Sequence, residues 1–86
     1  MSAIEEIATA INALGEQIEE AANAVRDIDS NIDDASSTAS ALGANATVEG
    51  LAQLSSEIQA LAQQLLTAGE SAKDASATAQ AVADST

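Results

Sequence analysis

Phe, Tyr, Trp, Cys, His and Pro are all missing from this chain of 86 residues, and only Arg26 and Lys73 are cationic. Each absence excludes something. Without aromatics there are no bulky rings to fill a globular core and none on which nucleic-acid bases could stack. Two cations against 14 acids leave a net charge of −12. Phosphate backbones and anionic membrane surfaces are held by Lys and Arg, so nucleic acid and anionic membrane surfaces are not expected partners. Without cysteine nothing can be read of the redox compartment. Without histidine the many serines have no imidazole base, and a Ser–Lys pair would rest on Lys73 alone. There is no long apolar run of the kind that spans a membrane, and the acidic N-terminus is unlike a signal peptide.

What is present is a repeat. From Ile4 the apolar residues run Ile4, Ile7, Ile11, Leu14, Ile18, Ala21, Val25, Ile28, Ile32, Ala35, Ala39, Leu42. Steps of three and four alternate without a break, the spacing of a coiled-coil seam. After Gly43 the same rhythm resumes at Leu51, Leu54, Ile58, Leu61, Leu65, Ala68, Ala72, Ala75, Ala79 and Val82. A disordered acidic chain has no reason to keep such phase. Lettering the heptads with Ile4 and Leu51 at a, the predicted seam is a and d on both helices.

The punctuation fits two helices. Ser2 and Glu5 have the spacing of a capping box, which starts helix 1 near Ala3. Gly43 comes directly after the last seam residue, as a left-handed C′ glycine does, and Asn45 or Thr47 can cap the second helix. The expected layout is one all-α domain, an antiparallel helical hairpin. Helix 1 covers about 3–42, the turn about 43–46 and helix 2 about 47–84. Two registers fit. The longer sets Leu54 against Ala39 and Ile58 against Ala35, large against small; the other is one heptad shorter. Asn45-Ala46-Thr47 also has the form of a glycosylation sequon, though a helix cap explains it more simply.

Beside the predicted seam lie small residues at heptad spacing: Ala8, Gly15 and Ala22 in helix 1, Ala62, Gly69 and Ala83 in helix 2. Leu66 falls off the seam. Charges would serve solubility better at such places. These seven residues are therefore the expected contact between hairpins. Glycine in a helix interior costs roughly 1 kcal/mol relative to alanine, and close approach of another backbone is the expected reason for Gly15.

No catalytic, cofactor-binding or metal site is expected. Asp27, Asp29, Asn31 and Asp33 imitate the start of an EF-hand loop, but its glycine position is Ile32 and its closing glutamate is Thr38. A convex helical surface offers carboxylates no water-excluding pocket for acid/base chemistry or for a small-molecule substrate.

Three textures resemble known families. Length and hairpin layout resemble the small helical-hairpin proteins of type VII (ESX) secretion. Of their Trp-x-Gly turn, Ala41-Leu42-Gly43 keeps the glycine; of their Tyr-x-x-x-Asp/Glu signal, Gln80-Ala81-Val82-Ala83-Asp84 keeps the acid. That resemblance implies a secreted partner protein forming a hairpin heterodimer. The run Leu54-Ser55-Ser56-Glu57-Ile58-Gln59-Ala60-Leu61-Ala62 is similar to chemoreceptor signalling hairpins and implies a signalling or adaptor coiled coil. The Ala, Ser, Thr, Asn and Gln content resembles the packed helices of flagellins and implies a filament subunit. The favoured expectation is a non-enzymatic, self-assembling hairpin that packs into a larger bundle or filament, with a different helical protein as the alternative partner. An extracellular address without a signal peptide is favoured over a cytoplasmic one.

Overall fold

The computed structural model describes residues 2–85, and these form two helices. Helix α1 spans Ala3–Ala41 and α2 spans Asn45–Ser85. The expected all-α hairpin is what the chain forms.

The ends of α1 are built by local chemistry. The Ser2 hydroxyl accepts a hydrogen bond from the Glu5 amide at 3.1 Å, and Glu5 and Glu6 sit where the helix dipole favours negative charge. At the other end the Gly43 amide donates to the Ser40 carbonyl at 3.0 Å and the Ala44 amide to Ala39 at 2.9 Å. With Gly43 at φ 75°, these two bonds complete a Schellman motif. The turn is tighter than the sequence suggests. Ala44, not Asn45 or Thr47, stands at the N-cap of α2, and its carbonyl accepts from the Val48 amide at 3.1 Å. Asn45 is already helical.

The tertiary contacts form two compact units. One comprises Met1–Ala21 with Leu65–Thr86, the other Ala22–Gln64. In the first, Gly15 lies against Ala72, and Gly69 against Ile18. This is the shorter of the two registers, displaced by one residue. A Cβ added at Gly15 would stand 3.4 Å from the Ala72 methyl and 3.5 Å from the Gly69 carbonyl; one at Gly69 would stand 3.6 Å from the Gly15 carbonyl. The two backbones therefore approach at their glycines, as expected for Gly15, but the neighbour is the chain's own second helix. In the second unit the Ser55 hydroxyl donates to Asp29 at 2.6 Å, and the Gln59 amide donates to the other Asp29 oxygen at 3.2 Å.

The seam is not the one the sequence predicts. Ile4, Ile11, Ile18, Val25, Ile32 and Ala39, all at a, do turn inward. Their companions are the e residues Ala8, Gly15, Ala22, Asp29 and Ser36, while the d residues Ile7, Leu14, Ala21, Ile28, Ala35 and Leu42 are exposed. In α2, Val48, Ser55, Ala62, Gly69, Ser76 and Ala83 likewise replace the d set. The physical reason is size. Large a residues of one helix meet small e residues of the other, so the backbones come close and the small residues are covered.

Candidate functional site: an association surface

The seven residues expected between hairpins are the first to be placed. Ala22 is 0 % exposed; Ala8, Gly15, Ala62 and Gly69 are buried too, and Leu66 and Ala83 are half-buried. The five buried residues are covered by the hairpin's own packing, so small residues recurring every seven positions mark a close helix contact within the chain.

What the hairpin leaves in water is the displaced half of the sequence repeat. Ile7 is 54 % exposed, Leu14 52 %, Ile28 46 % and Leu42 79 %; on α2, Leu54, Leu61 and Val82 are 40 to 47 % exposed. All seven are d positions. In an antiparallel pair that meets through a and e, reversing one helix mirrors its wheel. Within each unit the d residues of both helices then emerge on one side and the b residues on the other. The polar contacts agree. Glu19 and Lys73, both at b, form an ion pair at 2.6 Å, and Gln59, also at b, reaches Asp29.

Charge is sorted between the two sides. Of the 14 acids none is at a or d, and Glu57 alone is at g, the position beside the d stripe. Every other acid is at b, c or f, except Asp29 within the seam. Helices buried on one side in a bundle carry apolar residues at a, d and one flank, a stripe of roughly 100°. Here a, d and e form that stripe, and the hairpin covers the a/e part of it.

The polar side holds an open groove of about 380 Å³ in the first unit, lined by Thr9, Asn12, Lys73, Ser76 and Gln80 with Ala8 and Ala77. Its polar side chains already have partners within the chain. Thr9 donates to the Glu5 carbonyl, Asn12 to Glu16, Ser76 to the Ala8 carbonyl and Gln80 to Asp84, while Lys73 pairs with Glu19. The Glu19 carboxylate, first by its hydrogen bond and then by its charge, raises the Lys73 pKa above the ordinary 10.5. A groove so occupied offers little to a ligand.

The EF-hand imitation resolves as helix. Residues 27–33 lie within α1, with Asp27 and Asp33 exposed and Asp29 turned to α2. No grouping of acids that could hold a metal ion occurs among the described residues. Among these residues, too, no helix is long and apolar enough to cross a membrane. Comparison with protein-family models, with curated proteins and with solved structures finds no match.

Proposed function

We propose that the chain is a non-enzymatic structural subunit that works by self-association of helical hairpins. The observation that carries this reading is the exposure, within the Ala22–Gln64 unit, of Ile28, Leu42, Leu54 and Leu61 at one heptad position. Scattered exposed apolar residues are ordinary, but a stripe rimmed by polar residues marks an interaction surface. Light burial supports the same reading. Ile32 is the one bulky side chain buried among the described residues; the rest of the core is alanine and glycine. A domain this small and this lightly packed gains much of its stability from a partner.

Light scattering over a concentration series tests the reading. The expected result is a mass above the 8.5 kDa of one chain, rising with concentration and with salt, which screens acidic surfaces over ~10 Å at 0.1 M. A mass of one chain at every concentration and salt would overturn it.

A further inference from the structure

We infer that the occupant of the exposed stripe is a second copy of this chain. It docks on the d side of the Ala22–Gln64 unit, where Ile28 and Leu42 of α1 and Leu54 and Leu61 of α2 stand in water. The inference rests on the self-association reading and names its surface.

Charge carries the choice of partner. A chain of net −12 repels its own copies wherever its acids meet. This unit holds six acids and Arg26. Asp27, Asp33, Asp34 and Glu49 lie at b, c or f, away from the stripe, and Asp29 is engaged with Ser55 and Gln59. The g residues on the near side are Ala24, Asn31 and Thr38 in α1, and Gly50, Glu57 and Gln64 in α2. Two copies meeting face to face there bring apolar and neutral groups together, with Glu57 the one acid that each copy brings to the margin. A basic partner would be drawn to the b, c and f faces instead, where the acids are. The d side is the surface that suits an equally acidic partner, and a second copy is such a partner. Paired copies would then cover the a, d and e stripe of both helix segments within this unit, as four-helix packing requires.

The test uses the full chain and four forms: wild type, Leu61→Glu, Glu57→Gln and Ala52→Glu. Sedimentation gives the self-dissociation constant and circular dichroism the helicity of each. Leu61→Glu places a charge in the stripe and should raise the constant at least roughly thirtyfold, as loss of a central interface contact does. Glu57→Gln removes the marginal acid and should lower it several-fold. Ala52→Glu, at b on the opposite side, should leave it unchanged within about twofold. If Leu61→Glu also loses helicity, Glu57→Gln decides alone. An associating wild type with Glu57→Gln unchanged, or with Ala52→Glu as the disruptive variant, overturns this surface but leaves self-association standing. A wild type that stays single overturns both.

Discussion

The two units of the hairpin are built from one repeat but solve packing differently. The first, Met1–Ala21 with Leu65–Thr86, closes on Gly15 and Gly69, with no bulky side chain buried among its described residues. Its helices are tied by the Ser76 hydroxyl on the Ala8 carbonyl at 2.7 Å and by the Glu19–Lys73 pair. The second, Ala22–Gln64, contains the buried Ile32, the Schellman turn and the Asp29–Ser55–Gln59 network. Close backbone approach gains many weak dispersion contacts but removes little apolar surface from water. A buried isoleucine does the reverse. The same heptad can therefore hold two helices by proximity in one place and by apolar burial in another.

Truncation of an isoleucine should separate the two units most. Ile32→Ala, inside the second unit, should cost about 2–4 kcal/mol, whereas Ile7→Ala, half-exposed in the first, should cost under about 1 kcal/mol at concentrations too low for association. Urea unfolding monitored by circular dichroism measures both. Equal losses would mean that Ile32 does not anchor its unit.

The turn comes next. Gly43 has open space around it, so a methyl there meets no clash, but its left-handed φ disfavours any side chain. Gly43→Ala should cost about 1–2 kcal/mol in the same assay. A neutral result would contradict the Schellman geometry.

The helical glycines differ in the same way between the units. Gly50 is exposed, helical and without neighbours within 4 Å, so Gly50→Ala should stabilise by about 0.8–1.0 kcal/mol. Gly15→Ala gains the same propensity, and its new methyl meets Ala72 at 3.4 Å and the Gly69 carbonyl at 3.5 Å, in van der Waals contact. Its net gain should be at least as large as that of Gly50→Ala, and the melting temperatures of the two variants should show that order.

The smallest effect is the Glu19–Lys73 pair. Because the folded chain holds the Lys73 pKa above 10.5, its contribution is fully present below that pH. It is lost as pH rises through the higher folded value. Both groups are nearly half exposed, so the change is slight. Melting of wild type and Lys73→Gln should differ at about pH 9 and converge at about pH 12. A gap that persists to the higher pH would mean that Lys73 acts through its aliphatic stem.

Much of this fold is legible in the sequence. Ser2, Glu5 and Gly43 fix the helix ends by local rules, and the a positions were readable because Ile, Leu and Val recur there. The choice between d and e was not. Both sets keep the alternating step of three and four, so periodicity alone cannot separate them. The usable signal was the alanine, glycine and serine at e in both helices, which let two backbones approach. Asp29 hides that signal in α1, because an acid does not look like a seam residue until Ser55 and Gln59, far along the chain, are placed beside it. The association surface has the same origin: the d residues are the predicted seam, left uncovered.

Adjacent alanines distinguish an a/e seam from an a/d seam. Ala21 is at d and exposed, while Ala22 is at e and 0 % exposed. The measurement is helicity and thermal unfolding of Ala21→Glu and Ala22→Glu, at concentrations too low for association. An a/e seam predicts that Ala22→Glu, which forces an unpaired charge into a closed contact, loses more than about 3 kcal/mol or unfolds. Ala21→Glu should keep its helicity and melt within a few degrees of wild type. The reverse order, with Ala21→Glu unfolded and Ala22→Glu intact, would rule out the a/e seam and restore the a/d seam.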